Sequence, residues 1–272
     1  MTLEKLPVSE VNQIKRMVNN EYSGKLLYVT ISGSHLYGFE SEDGDIDFRG
    51  CWLLDTNKII GLENPKLFIK KEEGKNDIVL YELKMELNLL NEGNCNVMEH
   101  LFATQLYTSD EYFELKKLVS YNMNMNGIYN SYRGLAWSNY NDFCLKGVHT
   151  VKKFLYVFRG ILAGMYAIQT RTIEPNLEKL LRDKKSHYYY DPIMELIRLK
   201  KAGNENDFLP DKRLPIYHKL VIDLLSVLDH QWENSKPSAK TQLEMDRTRY
   251  EVFNRFLKKI RKQYIKKNEN QV

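Results

Sequence analysis

The spacing of apolar residues changes character along the chain. Up to about residue 105, short apolar runs rich in β-branched and aromatic residues are separated by polar turns, which is typical of strands. Helical spacing predicts a helix from about residue 8 and another over 82–91. The strand pattern predicts four strands, over residues 26–32, 46–54, 67–71 and 77–81.

Beyond residue 105 the strand pattern fades and long amphipathic stretches replace it. The predicted helices there cover residues 151–168, 215–228 and 247–265. Strands first and helices afterwards are typical of an α+β protein. We therefore expect an α+β core over residues 1–104 and a mostly helical domain over residues 105–272.

Composition narrows the class of protein. The 272 residues include 40 Lys and Arg against 36 Asp and Glu, and a net charge of +4 excludes a purely electrostatic nucleic-acid binder. An aromatic content of 12% argues against disorder. The three cysteines, Cys51, Cys95 and Cys144, are odd in number and far apart, which disfavours a disulfide framework or a cysteine-rich zinc site. No apolar run could span a membrane and no secretory leader is visible, so we expect a cytoplasmic protein without membrane contact.

One stretch concentrates candidate chemistry, residues 33–47 with the sequence GSHLYGFESEDGDID. A predicted buried strand ends at Gly33 and Ser34, and a second glycine follows at Gly38. Glycines allow close approach of the backbone to an anion, and main-chain N–H groups with the serine hydroxyl could hold phosphate oxygens. A helix beginning near Ser34 would add a favourable dipole.

The same stretch ends in two aspartates, Asp45 and Asp47, two residues apart at the start of a predicted strand. Alternate residues of a strand point the same way, so the two carboxylates are expected side by side. Neighbouring carboxylates repel and usually share a cation. Mg²⁺ is the natural choice, since it binds through few carboxylates and completes its shell with phosphates and water.

The glycine–serine turn followed by D-x-D resembles the DNA polymerase β-like nucleotidyltransferase superfamily. More narrowly, GSHLYG, DGDIDFRG and the segment DIVLYELKMELNLLNEGNCNVMEHLF resemble the RlaP family of predicted nucleotidyltransferases, which has phage and bacterial members. The resemblance covers residues 24–104 well and the helical half weakly, mainly near 152–159. Gly44 stands where a serine often precedes the first aspartate, and Cys95 where proline is usual, which leaves that loop less rigid.

The resemblance implies a small mixed sheet with flanking helices, followed by a helical domain that completes the cleft. It implies transfer of a nucleoside monophosphate from an NTP, such as ATP, to a hydroxyl group with release of pyrophosphate. Two Mg²⁺ ions would be the cofactors, with Mn²⁺ as their substitute. The expected location is the cytoplasm, or the host cytoplasm if the protein is encoded by a phage.

The superfamily uses a third acidic residue on a neighbouring strand, and two positions compete for that role. Asp77 opens the strand DIVLY, whose residues 77, 79 and 81 share a face. Glu82 ends that strand on the opposite face, and a role at the start of the next helix suffices to explain it. We therefore favour Asp45, Asp47 and Asp77 as catalytic and metal-binding residues, with Glu82 as the alternative to Asp77.

Several further side chains are candidates for binding the nucleotide. Besides Gly33 and Ser34, Arg49 shares the strand face of Asp47 and could neutralise phosphate, or equally pair with the surplus acids. On the helix from residue 151, three residues at i, i+4 and i+7 form one face: Lys152, Tyr156 and Arg159. A stripe of this kind could bind the triphosphate or could be a solvated polar face.

The family resemblance points to an RNA end, such as that of a tRNA, as the acceptor. Six basic residues within 258–267 form a basic amphipathic segment that could grip an RNA backbone or simply end a helix. Proteins and small molecules with a hydroxyl group are the alternative acceptors. An inactive nucleotide-binding module of the same fold is the third hypothesis.

Overall fold

A mixed five-stranded sheet forms the N-terminal half of the protein. This computed structural model describes residues 8–40, 45–62, 64–74, 76–203 and 206–269. The strands are β1 (Gly24–Ile31), β2 (Ile46–Leu54), β3 (Phe68–Glu73), β4 (Asn76–Glu82) and β5 (Gln105–Thr108). Their order in the sheet is β3-β4-β2-β1-β5, and all neighbours are antiparallel except β2 and β4, which are parallel.

The helices flank the sheet and make up most of the C-terminal half. In chain order they are α1 (Val8–Asn20), α2 (Gly33–Tyr37), α3 (Thr56–Ile60), α4 (Leu83–Glu92), α5 (Cys95–Phe102), α6 (Asp110–Tyr121), α7 (Met125–Asp142), α8 (Val151–Thr170), α9 (Leu177–Leu181), α10 (Tyr190–Lys201), α11 (Leu214–Ser235) and α12 (Ala239–Glu269). No helix among the described residues combines the length and the apolar character needed to cross a membrane.

The expected α+β class, with a small mixed sheet and a helical C-terminal region, is confirmed. The four predicted strands correspond to β1 to β4 with shifts of one or two residues at most ends. The strand pattern was expected to fade after about residue 105, and one strand that was not predicted, β5, begins there and pairs with β1. β5 has four residues, all half-buried, so it carries neither an apolar run nor a two-residue alternation. The domain division at residue 104 stays a prediction, although the sheet includes residues on both sides of it.

Alternating side chains give the sheet two buried faces. The apolar side chains of α1 cover one face, where Leu26, Val29 and Phe48 are buried. The other face carries Tyr28 and Cys51 and packs against α4, α5 and the C-terminal helices. Because strand residues alternate, Asp47 and Arg49 share the face of Cys51, which is the face turned towards the helices.

The helix α8 is the centre of the C-terminal half. It packs against α7, α10 and α11 and is apolar on nearly all sides, as expected for a helix buried within a bundle. Where α8 packs against α7, Gly160 leaves room for Ala136, and an added Cβ atom would lie 3.2 Å from that side chain. The hydrophobic core of the helices is continuous with the core on the sheet face that carries Tyr28 and Cys51.

Candidate active site

The predicted motif residues gather at one end of the sheet. The C-terminal end of β1 lies beside the N-terminal end of β2, because those strands are antiparallel, and Ile31 pairs with Phe48. The N-terminal end of β4 lies at the same edge because β4 runs parallel to β2. The helix α2, which contains Gly33 and Ser34, begins there. One sheet edge therefore presents the glycine–serine turn and the acidic residues together.

A glycine is required at the start of α2. Gly33 has a φ of +63°, a conformation that side chains disfavour, and a Cβ atom added there would overlap Asp47 Oδ2. The backbone N–H of Ser32 donates to the carbonyl oxygen of Asp47 at 2.8 Å. Ser34 lies in the first turn of α2, and its carbonyl oxygen accepts from the N–H of Gly38 at 3.1 Å. The turn and the Asp47 carboxylate are thus in direct contact.

Asp47 and Asp77 are direct neighbours across the parallel pair of β2 and β4. Arg49 lies between them, and its Nη2 donates to Asp47 Oδ1 at 3.1 Å and to Asp77 Oδ2 at 2.8 Å. These side chains keep some solvent exposure, at 18% for Arg49, 31% for Asp47 and 32% for Asp77. Arg49 was expected either to neutralise phosphate or to pair with the surplus acids, and in the structure it pairs with these two acids.

Asp45 differs from the other two acids. It precedes the first residue of β2 and is exposed, so the alternation of the strand does not fix the direction of its side chain. Within the described part of the chain, no three His, Cys, Asp or Glu side chains are grouped closely enough to hold a metal ion. The pair of Asp47 and Asp77 nevertheless suits a divalent cation, because Asp77 Oδ1 is a buried carboxylate oxygen without a hydrogen-bond partner.

Glu82 is fully buried and fully occupied in a structural role. Its carboxylate caps α4 by accepting from the N–H of Lys84 at 2.8 Å, and it also accepts from the N–H of Leu54 at 3.3 Å. Arg261 of α12 forms an ion pair with it. The two strand positions also place Glu82 at the opposite end of β4 from Asp77. The geometry thus favours Asp77 over Glu82 as the neighbour of Asp47.

The predicted stripe on α8 is divided between the surface and the interior. Arg159 is 1% exposed, and its Nη1 donates to Glu99 Oε1 at 2.6 Å. Its guanidinium also lies 3.8 Å from the centroid of the Tyr37 ring. Burial opposes the charge of Arg159, but the Glu99 carboxylate raises the pKa of the guanidinium above its usual value. Arg159 therefore supports α2 from beneath and is shielded from a nucleotide at the surface.

The other two residues of the stripe lie closer to solvent. Tyr156 is half-buried and packs edge-on against the rings of Tyr37 and Phe39, which lie in and just after α2. Lys152 is half-buried one turn earlier on α8. Both positions are compatible with a nucleotide beside α2, and that role for them stays a prediction.

Sequence patterns did not reveal a role for His100 in this site. Its Nε2 lies 3.0 Å from Oγ of Ser32, the residue that precedes Gly33. Burial lowers the pKa of His100 to about 3, so the ring is neutral and its side chain acts as a hydrogen-bonding group without charge. Ser32 is the N-cap residue of α2 but does not cap it with its side chain, since the hydroxyl is turned towards His100. Only the tertiary structure brings these residues, 68 positions apart, together.

A glycine–serine turn packed on a pair of strand aspartates at the end of a mixed sheet agrees with the class that the motifs indicate, a nucleotidyltransferase. The chain belongs to the RNA repair pathway DNA polymerase β family, RlaP, whose sequence profile matches residues 8–259.

Individual relatives are distant. The chain is 26% identical over 218 residues to the uncharacterized protein YcgL of Bacillus subtilis, covering 78% of this chain and 82% of that protein. It is 30% identical over 151 residues to the uncharacterized protein MJ0002 of Methanocaldococcus jannaschii, covering 53% and 60%. A nucleotidyltransferase-like protein from Exiguobacterium sibiricum is similar at 10% identity over 93% of this chain and 80% of that one, with a TM-score of 0.28.

Proposed function

We propose that this nucleotidyltransferase moves a nucleoside monophosphate from an NTP to a hydroxyl group at an RNA end, in a reaction that requires Mg²⁺. In this reaction the acceptor oxygen bonds to the α-phosphorus, the hydroxyl loses its proton, and pyrophosphate leaves. The observation that carries the proposal is the pair of neighbouring carboxylates, Asp47 and Asp77, of which Asp47 is packed against Gly33. Membership of the RNA repair family supports the choice of acceptor.

The chain's own residues would bind and orient the triphosphate. Gly33 brings the backbone of α2 into contact with the Asp47 carboxylate, so phosphates beside Ser34 would lie next to the aspartate pair. Arg49 donates to both carboxylates on the strand face, and its positive charge would lie beside phosphates bound there. Positioning and charge neutralisation of this kind supply most of the catalysis of phosphoryl transfer.

Asp47 and Asp77 would hold the divalent metal, and Asp45, one residue outside β2, would join them. When bound, Mg²⁺ supplies Lewis-acid stabilisation of phosphate oxygens and makes a nearby hydroxyl more acidic. Asp77 Oδ1 is buried and has no hydrogen-bond partner, and a bound cation would supply that partner.

The surface of α12 also supports the proposal that RNA is the acceptor. Lys258 and Lys262 are exposed on this helix, and a basic helix surface is suited to phosphate backbones. An inactive nucleotide-binding module remains the second candidate, and the observation that favours it is the occupation of both carboxylates by Arg49.

Transfer assays with α-labelled NTPs would test the proposal. The protein is incubated with each of the four NTPs, Mg²⁺ or Mn²⁺, and total RNA, total protein or small metabolites. We expect label on RNA, and a loss of about 10³-fold in Asp47→Asn and in Asp77→Asn, because each removes a carboxylate of the pair. Asp45→Asn is also expected to reduce transfer.

Asp142→Asn is the matched control, since Asp142 is exposed at the end of α7 and its side chain contacts Ser138 and Lys146. Its variant should transfer label like the unmodified protein. Full transfer by folded Asp47→Asn would contradict the proposed mechanism. Label on protein or on small molecules alone would reject the RNA acceptor, and nucleotide binding without any transfer would establish the inactive module.

A further inference from the structure

A cavity of about 390 Å³ opens beside α2, and the proposed chemistry of the phosphates and metal does not use it. Its walls come from four parts of the chain: the end of β1 at Ile31, α2 at Leu36, the end of α5 at Phe102, and the segment before α9 at Pro175. The volume lies within the range of small-molecule sites, which is about 300–1,000 Å³. The cavity is therefore large enough for a flat ring system and part of a sugar.

The lining of the cavity is apolar within and polar at several points. Isoleucine, leucine, phenylalanine and proline side chains supply the apolar surface, whereas His35, Glu40 and Lys179 supply polar groups. His35 Nε2 is shielded from solvent and has no hydrogen-bond partner among the described residues. A ligand with a flat apolar face and polar edges would satisfy both kinds of surface.

The position of the cavity relates it to the proposed triphosphate site. His35 and Leu36 line it, and they follow Gly33 by two and three residues in the same short helix. At a rise of 1.5 Å per residue, they lie about 3 to 5 Å along the helix from the glycine that touches Asp47. One ribose separates the base of a nucleotide from its phosphates and can bridge such a distance.

We propose that this cavity binds a nucleobase, with Phe102 as its stacking surface. Phe102 is half-buried at the end of α5 and lines the cavity. Lys116 Nζ lies 5.5 Å from the centroid of its ring, so the base would stack on the other ring face. The inference rests on the proposed function, because it takes the phosphates to lie at Gly33 and Ser34. The base belongs either to the NTP or to the terminal nucleotide of the acceptor RNA.

Equilibrium binding tests the inference separately from turnover. Binding of ATP, CTP, GTP and UTP with Mg²⁺ is compared with binding of inorganic tripolyphosphate, which has no base. A second series compares single-stranded RNA oligonucleotides with the same oligonucleotides lacking the terminal base. The variants are Phe102→Ala, which removes the stacking ring, and Thr104→Trp, which places an indole at an exposed rim position. Phe113→Ala and Thr248→Trp, at exposed positions on α6 and α12, are the matched controls.

We expect both cavity variants to bind one ligand series at least 5- to 10-fold more weakly, which is typical of a lost base–aromatic stack. Weaker NTP binding with unchanged tripolyphosphate binding assigns the cavity to the NTP base. Weaker RNA binding that disappears with the abasic oligonucleotides assigns it to the acceptor base. Unchanged binding of both series, or an equal loss for the probes without a base, would overturn the inference.

The same measurements distinguish failure of this inference from failure of the proposed function. If Asp47→Asn keeps full transfer activity while Phe102→Ala loses base-dependent binding, the catalytic proposal fails and the nucleobase cavity stands. If Asp47→Asn loses transfer while both cavity variants bind every probe normally, the catalytic proposal stands and the cavity inference fails. Because Thr104 is exposed, its variant keeps the test valid if Phe102→Ala does not fold.

Discussion

Two arginine–carboxylate sites contact α2, and they differ in their access to solvent. Arg49 binds Asp47 and Asp77 at the sheet edge, where all three side chains are partly exposed. Arg159 binds Glu99 in the interior, where neither side chain reaches solvent. Partly exposed charges can exchange partners at small cost, whereas a buried charge that loses its partner is strongly destabilising. The first site is therefore suited to binding a charged ligand, and the second to holding α2 in place.

A third acidic side chain sharpens the contrast. Glu86 of α4 is as buried as Glu99, but its hydrogen-bond partner is the hydroxyl of Tyr28 and not a cation. Burial raises the pKa of Glu86 to about 8, although the hydrogen bond from Tyr28 lowers it. Burial also raises the pKa of Glu99, where the charge of Arg159 opposes the increase. The carboxylates of Asp47 and Asp77 are thus partly exposed and paired with an arginine. Glu99 is buried and paired with an arginine, and Glu86 is buried without a cation.

The largest effect on stability is expected at the buried pair. Arg159→Met leaves the Glu99 carboxylate without its cation in the interior, and the free energy of unfolding should fall by about 3–5 kcal/mol. Urea denaturation at pH 7 measures this loss. The double variant Arg159→Met/Glu99→Gln removes both charges and should recover most of the stability. If Arg159→Met were as stable as the unmodified protein, the ion pair would not contribute to the packing of α5 against α8.

An intermediate, pH-dependent effect is expected at Glu86. The folded pKa lies above the unfolded value of about 4.5, so the folded state holds the proton more tightly. The stability from this group is complete below pH 4.5 and is lost as the pH rises towards 8, by roughly 1 kcal/mol per pH unit. Glu86→Gln should lack that loss. Denaturation curves at pH 5, 6.5 and 8 measure the difference between the two proteins.

The exposed residue Glu244 provides the control for this comparison. Glu244→Gln should keep the pH dependence of the unmodified protein. Parallel pH dependence in the unmodified protein and in Glu86→Gln would contradict the assignment of this pH effect to the buried carboxyl.

The smallest effect on stability is expected at Arg49. Because its ion pairs are partly exposed, Arg49→Met should change the free energy of unfolding by only about 1 kcal/mol or less. Transfer activity should nevertheless fall by about 10²-fold, since the carboxylates and the phosphates lose a shared positive charge. Lys70→Met, which removes an exposed ion pair on β3, serves as the control for stability. If Arg49→Met were much less stable but normally active, Arg49 would have the structural role that is assigned here to Arg159.

Much of the fold could be predicted from local patterns. The strand β1 and the second half of β2 are buried apolar runs, β4 alternates between buried and half-buried residues, and α1, α4 and α8 have clear helical periodicity. The strand β5 could not be found in this way because its four residues are half-buried and its existence depends on pairing with β1. Helix α7 was also missed, since polar and aromatic residues dominate its sequence and its helical form depends on packing against α8.

The candidate site was predictable where neighbouring residues carry the signal. Gly33 and Asp47 belong to one short motif, and the structure places them in contact. The burial of Arg159 was not predictable, because its partner Glu99 is 60 residues away in the chain. Helical spacing groups Arg159 with Lys152, but it does not show which residues of a helix face the interior of the protein.

The sequence by itself determined that a glycine–serine turn follows one buried strand and that two aspartates lie at the start of the next, because short-range backbone geometry and alternation are local properties. The tertiary structure alone decided that Asp77 and not Glu82 lies beside Asp47, since this depends on the register between two strands. It also decided which arginine is available to a ligand. The residue type determines whether a side chain can carry a charge, whereas the packing of distant segments determines its solvation and its partners.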